Sequence, residues 1–259
     1  MKLGIIQGRL SQPVHGHQTT PENWQKEFDI LKKLGLNHIE WNIDNNKLFK
    51  NPILISDIDL KIIEKISSIC FDNLVTDRVY DEDFLNLNLT NIVELLYTKN
   101  ILSITIPLVE SATIKNSSDV SKIRAALDNI FEKYPELIVN IESDARISLV
   151  SEVLGSNKNI RFTYDTGNIT ASNFNHERYI DAIFDKINNI HLKDRVYNHG
   201  PSVQYGMGDT DFDAIFSQLS ELKYNNLFTL QMIRGETGKE MEYITDLSKI
   251  FRRLHEKYF

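Results

Sequence analysis

The chain has 259 residues, 41% of them hydrophobic and 25% charged, with a formal net charge of -7. That length and apolar content suffice for a large buried core, and the acidic balance weighs against a nucleic-acid binder that works by neutralising phosphates. A single cysteine, Cys70, excludes an intrachain disulfide and a thiolate metal cluster, and its place between Ile69 and Phe71 marks it as a small buried hydrophobe.

The first residues turn polar at Gln7 and Arg9, too early for the apolar region of a signal peptide, and no later stretch is long enough to span a bilayer. The expectation is a cytoplasmic protein with no membrane partner.

Strand-like and helix-like segments then alternate along the chain. Leu3 to Gln7 reads as a first strand, followed by a loop to Pro21 that carries His15 and His17. Trp24, Phe28 and Leu31 have near-helical spacing, with a stop at Gly35. His38 to Ile43 is a second strand. Ile58, Ile62, Ile63 and Ile66 predict a second helix, and Ile69 to Val75 a third strand. Ile92, Val93, Leu95 and Leu96 mark the next helix, and Ile101 to Ile106 a fourth strand closed by Pro107. A helix from Asp119 must end near Tyr134, because Pro135 disfavours helix at the residue before it. Leu137 to Glu142 is the fifth strand, and the helix after it ends at Gly155. Ile160 to Asp165 and Ile187 to Leu192 are the sixth and seventh strands, with a helix around Tyr179 to Phe184 between them. Thr210 is the expected N-cap of a helix carrying Phe212, Ile215, Phe216, Leu219 and Leu222. Leu227 to Met232 is the eighth strand, and Met241 to Leu254 lies in the last helix. Eight strand-helix units of this size predict one α/β domain over residues 1–259, a (β/α)8 TIM barrel. An open doubly wound sheet would need a Gly-x-Gly-x-x-Gly turn after the first strand; the chain has Gly8-Arg9-Leu10 there.

In such barrels the active site lies at the C-terminal ends of the strands. Those ends read Gln7 with Arg9, Glu40, Asp77, Glu110, Glu142, Asp165, His191 with Lys193, and Gln231. Single residues such as Asp77 and Glu110 are equally well solvated loop carboxylates. Glu142, Asp165 and His191 carry more weight, because three metal-ligand types fall at the same register on successive units. Side chains alternate along a strand, so Asp165 shares a face with Thr163, and His191 with Lys193.

At these residues the chain resembles the xylose isomerase-like TIM barrels, the sugar phosphate isomerase/epimerase group. The resemblance rests on Gly4 to Ser11 (GIIQGRLS), Leu34 to Trp41 (LGLNHIEW), Asn140 to Asp144 (NIESD), Tyr164 to Asn168 (YDTGN), Ile190 to Arg195 (IHLKDR) and Gly206 to Phe212 (GMGDTDF), in that order. It implies a divalent metal, manganese, magnesium, cobalt or zinc, held by Glu142, Asp165, His191 and Gln231. The family's usual fourth ligand is Glu, so Gln231 is a departure: an amide brings no charge, the expected affinity drops, and it cannot serve as a base. The implied reaction is isomerisation or epimerisation of a sugar or sugar phosphate, with Glu142 taking a proton α to a carbonyl, and a metal-stabilised enediolate also held by Lys193. Loss of a second base moves the expectation from epimerisation towards isomerisation.

Lys193 has an alternative in an ion pair with Asp165 or Glu142, and Glu40 in an ion pair with Arg9. Gln7, Arg9, Glu40, Asn168, Arg195 and Arg234 are candidate substrate-binding residues. The loop Gly206 to Gly208 lies where such barrels often bind phosphate, but Asp209 and Asp211 beside it favour a plain turn. Three other readings stay open: a dehydratase of the same group, an abasic-site endonuclease, and a degenerate barrel that binds a sugar derivative without turnover. The expected partner is a small sugar rather than nucleic acid, and a homo-oligomer is an expectation from relatives alone.

Overall fold

In the computed structural model, which describes residues 1–12 and 20–259, eight parallel strands close into a barrel. Seven are β1 (Lys2–Ile6), β2 (Ile39–Asn42), β3 (Ile66–Cys70), β4 (Ser103–Leu108), β5 (Ile138–Ser143), β6 (Ile160–Asp165) and β7 (Ile187–Leu192). The last barrel strand is Leu227–Leu230, which closes the ring between β7 and β1. The predicted fold class is therefore observed. The loop with His15 and His17 lies outside the described residues. Among those described, no helix is long and apolar enough to cross a membrane.

Alternation along the strands makes two environments. Ile39 and Trp41, Ile104 and Ile106, Phe162 and Tyr164, Ile190 and Leu192, and Phe228 and Leu230 are buried in the apolar core; each such side chain contributes about 1.5–3 kcal/mol by leaving water. The intervening residues, among them Glu40, Thr105, Thr163, Asn189, His191 and Thr229, are buried and polar. At one level His38 Nε2 lies 3.0 Å from Thr229 Oγ1, whose hydroxyl donates to Asn189 Oδ1 at 2.9 Å. Gly4 makes room for that imidazole, since a Cβ there would meet the His38 ring at 2.2 Å.

The helices follow the apolar periodicity. Ser117–Lys133 buries Val120, Ile123, Leu127 and Ile130 along one face and is capped by Asn116, whose side chain accepts from the N–H groups of Ser118 and Asp119. It stops before Pro135, as expected. Several predicted boundaries differ. Ile66 opens β3 instead of closing a helix; the helix before it is one turn, Leu60–Ile63, and the Ser68 hydroxyl inside β3 lies 2.8 Å from Thr105 Oγ1. Val75 lies outside β3, because Asp72–Leu74 turns into a 3-10 helix. Pro107 stands inside β4, where it costs no hydrogen bond because β3 pairs with β4 only at Ile104 and Thr105. The cap of Phe212–Glu221 is Asp211, which accepts from Ala214 N, while Thr210 Oγ1 lies 3.0 Å from Thr170 Oγ1.

Candidate metal and active site

Asp165 ends β6 and at once caps the short helix Thr166–Ala171, its Oδ1 accepting from Asn168 N at 2.7 Å. The cap fixes the carboxylate and turns Oδ2 away from the helix. β6 and β7 pair with Asp165 directly opposite His191, and Glu142 lies opposite Thr163 on the other side of β6. Parallel pairing thus brings three strand ends together. One ligand atom from each of Glu142, Asp165 and His191 lies within 4.8 Å of the others, and all three residues are buried.

His191 is held from below. Its Nε2 lies 2.5 Å from Glu40 Oε2, and the other Glu40 oxygen accepts from Thr105 Oγ1 at 2.6 Å. In the neutral ring that a metal ligand requires, Nε2 carries the hydrogen donated to Glu40 and Nδ1 presents a lone pair towards the cluster, 3.5 Å from Glu142 Oε2. Asn168 reaches the cluster too: its Nδ2 donates to Glu142 Oε1 at 2.8 Å, while its Oδ1 accepts from Arg195 Nη1 at 2.9 Å and Lys193 Nζ at 3.4 Å. Lys193 Nζ also lies 3.4 Å from Asp165 Oδ2.

The electrostatics are those of a site with too much negative charge. Burial pushes the Glu142 carboxyl up to about 8, aided by Asp165 and Glu40. Burial alone would lower the imidazolium of His191, but Glu40, Glu142 and Asp165 together outweigh it and raise it to about 9. Among the described residues, Asp165 Oδ2, His191 Nδ1 and Gln231 Oε1 are buried polar atoms without a hydrogen-bond partner; Lys193 offers Asp165 Oδ2 only its 3.4 Å contact. A buried acceptor left without a partner costs about 1–3 kcal/mol. The ligand atoms of Glu142, Asp165 and His191, within 4.8 Å of one another, offer a divalent cation three buried partners, so the donor set fits a metal.

The other predicted site residues are placed as follows. Gln231 continues from the last strand, its N–H on Leu192 O at 3.1 Å. Gln7 Oε1 accepts from Asn42 N and Thr20 Oγ1, each at 3.1 Å. Arg9 is buried, with Nε donating to Met232 O at 3.2 Å. Arg234 donates from Nη1 to Ser11 O at 2.8 Å and from Nη2 to Gly8 O at 2.5 Å. Arg195 donates from Nε and Nη2 to Gly200 O. Glu40 is 0% exposed, beneath the cluster. Asp77 and Glu110 are exposed. Residues that sequence reasoning missed are Thr105, which orients Glu40, and Thr166, whose hydroxyl lies 2.7 Å from Lys193 O and 3.0 Å from Lys193 N. Thr166 sits inside the Tyr164 to Asn168 motif; Thr105 has no sequence signal.

Comparison with curated protein sequences finds no match. Among solved structures, the chain is similar along 100% of its length to an IolI protein with a bound zinc atom, at 20% identity, 99% coverage of that chain and a TM-score of 0.73. It is similar over 98% of its length to the 3-keto-D-glucoside 4-epimerase YcjR from E. coli, at 17% identity, 99% coverage and a TM-score of 0.67. A D-psicose 3-epimerase from Clostridium cellulolyticum H10 matches 100% of the chain, at 15% identity, 96% coverage and a TM-score of 0.62. At these identities the likeness is one of fold. Residues 118–254, more than half the chain and the part that carries Glu142, Asp165, His191 and Gln231, match the family described as xylose isomerase-like TIM barrel. The chain belongs to that family.

Proposed function

We propose that the protein is a metal-dependent isomerase or epimerase of a sugar, which removes a proton α to a carbonyl. The observation that carries this reading is the buried cluster of Glu142, Asp165 and His191, in which Asp165 Oδ2 and His191 Nδ1 lack hydrogen-bond partners and Glu142 is held by Asn168. Glu142, Asp165, His191 and Gln231 would hold the ion. When bound, a divalent ion supplies Lewis-acid polarisation of the substrate's carbonyl and hydroxyl oxygens.

The chain's own residues do the rest. Glu142 is the base: Asn168 anchors Oε1, which aims the carboxylate, and Glu142 takes the carbon-bound proton and returns it to the neighbouring carbon. Lys193 is half-buried beside Asp165 and supplies positive charge to the oxygen that becomes anionic. Asp165 and Glu40 are positioning groups as much as charges, one tied to a helix N-terminus and the other to His191. Gln7, Arg9, Asn168, Arg195 and Arg234 frame the substrate through the backbone and side chains they hold in place. Gln231 cannot accept a proton as a base, so a one-base transfer on a single face, isomerisation, is favoured over a two-base epimerisation.

Gln231 is also the observation that favours a second reading, a barrel that binds a sugar derivative without turnover. Exchange with solvent separates the two. Metal-loaded protein incubated with a panel of ketoses and aldoses in deuterated water is expected to place deuterium next to the carbonyl of at least one sugar, and Glu142→Gln to lose that exchange at least a hundredfold. No exchange with any sugar, or undiminished exchange in the variant, overturns the proposal.

A further inference from the structure

A carboxylate buried in a barrel interior must have its oxygens met by donors, because an unpaired one is costly there. Glu40 is 0% exposed, and both of its oxygens are engaged: Oε2 lies 2.5 Å from His191 Nε2, and Oε1 accepts from Thr105 Oγ1 at 2.6 Å. The chain of contacts goes further. Thr105 Oγ1 lies 2.8 Å from Ser68 Oγ, with Thr105 on β4, Ser68 on β3 and both residues buried. A threonine hydroxyl carries a single hydrogen, and Glu40 receives it, so Ser68 is the donor to Thr105. The hydrogen bonds therefore run one way, from Ser68 to Thr105 to Glu40, and meet on one carboxylate the bond that His191 donates from the other side.

Local structure puts both hydroxyls in place. Ile39 stands opposite Ile66, so regular pairing of β2 with β3 would set Glu40 against Ser67. The register shifts instead, and Glu40 stands opposite Ser68. A slip of one residue exchanges the faces of a strand, and irregularities of this kind re-aim a side chain. Ser68 is thereby turned to Glu40, while the Ser67 hydroxyl donates to Ile39 O at 3.5 Å. On β4, Thr105 stands opposite Cys70, which lies two residues beyond Ser68 on the same face. Its β-branched side chain has few χ1 choices, which suits a hydroxyl that must keep one direction. Ser68 and Thr105 both lie outside the segments that carry the resemblance to the family.

We infer that Thr105 and Ser68 are positioning residues for metal binding: by holding the far oxygen of Glu40 they keep its near oxygen on His191 Nε2, which leaves Nδ1 for the ion. This rests on the metal site proposed above and adds to it two residues that act only through Glu40. Valine in place of Thr105 keeps the shape and removes the hydrogen, so a buried carboxylate oxygen faces a methyl group. Glu40 then loses its fixed direction, and the imidazole loses its brace.

Zinc affinity, read by competition with a chromogenic chelator, tests this in the intact protein. Thr105→Val is expected to weaken binding about three- to tenfold, less than the roughly 10–100-fold typical of losing the carboxylate itself. Thr105→Ser returns the hydroxyl and should restore wild-type affinity. Ser68→Ala, one hydrogen bond further out, should weaken binding less than Thr105→Val does. In a Glu40→Ala background, Thr105→Val is expected to cost nothing more, because its action runs through Glu40. Unchanged affinity in folded Thr105→Val, or an equal loss with and without Glu40, overturns the inference. A proton spectrum of metal-free, 15N-labelled protein reads the same brace without metal. The His191 Nε2 hydrogen should move in Thr105→Val and return to its wild-type position in Thr105→Ser; no movement overturns the inference. Wild type that binds no zinc overturns the metal reading itself, and this resonance then decides the role of Thr105 alone.

Discussion

His191 has two ring nitrogens with two tasks. Nε2 is 2.5 Å from Glu40 Oε2, across the barrel, and Nδ1 faces the carboxylates of the cluster. A carboxylate behind a metal-binding imidazole fixes its tautomer and raises its basicity, and losing it typically weakens metal affinity 10–100-fold. Glu40→Ala is therefore expected to raise the metal dissociation constant by about that factor, measured by competition with a chromogenic chelator, with partial recovery in Glu40→Gln. A 15N spectrum of His191 would report the change of tautomer, which a purely structural defect would leave alone. Unchanged affinity in Glu40→Ala would show that the pair is only a packing device.

Gln231 is the complementary case. Gln231→Glu adds a charge to a neutral ligand and is expected to tighten metal binding by about tenfold or more, roughly 1.4 kcal/mol; equal or weaker binding would mean that residue 231 lies outside the ion's reach. At this scale the sequence carried much of the arrangement. Glu142, Asp165 and His191 end consecutive strands, and parallel pairing converts that register into proximity. The role of Glu40 was not legible, because its contact with His191 spans 151 residues of chain and depends on how the barrel closes.

Among the elements, the loop after β1 shows how the mouth is held in shape. Glu27, fully buried on the helix Gln25–Lys33, accepts from Gly8 N at 3.0 Å, Leu10 N at 3.2 Å and Ser11 Oγ at 2.9 Å. Arg234, beyond the last strand, takes the carbonyls of Gly8 and Ser11 from the other side. One acid and one base thus clamp a single turn between the first and last units of the barrel. Removing the acid leaves two backbone N–H groups buried without acceptors, so Glu27→Ala should lower the free energy of unfolding by about 3 kcal/mol. Urea melts of both proteins measure it, and a loss below 1 kcal/mol would mean that water replaces the carboxylate at no cost.

Nothing in the sequence separates Glu27 from a solvated carboxylate on a helix surface. Nor does it disclose the helix Thr166–Ala171, since Thr-Gly-Asn after a strand reads as a loop until Asp165 is seen to cap it. The strands were easier. β6 and β7 were read to the residue because apolar runs bounded by polar groups leave little choice, whereas β3 was displaced because Ile66 continues the helical spacing of Ile58, Ile62 and Ile63.

For the whole molecule, buried imidazoles couple stability to pH. His176 sits between Tyr164 Oη at 2.6 Å and Thr170 Oγ1 at 2.9 Å, and burial depresses its imidazolium to about 4. The folded protein keeps this ring neutral where the unfolded chain, titrating near 6.5, binds a proton. Its contribution is therefore present above about pH 6.5 and is lost as pH falls towards 4. Between pH 7.5 and 5 wild type should lose about 1 kcal/mol more than His176→Gln, read as the difference between paired urea melts; equal losses would mean the ring accepts a proton in place.

The overall architecture was legible because eight alternating units leave a closed parallel barrel as the simplest way to cover both faces of every strand. The polar interior was legible only at the strand ends. Deeper residues such as His38, Thr105 and Thr229 gain their meaning from partners on strands that the sequence does not pair.

Metal stoichiometry tests the central claim most directly. Protein loaded with a divalent ion, desalted and analysed by plasma mass spectrometry, should hold one ion per chain, and Asp165→Ala, with its circular dichroism intact, should hold none. Wild type that retains no ion from millimolar metal, or a folded Asp165→Ala that retains it fully, would contradict the account.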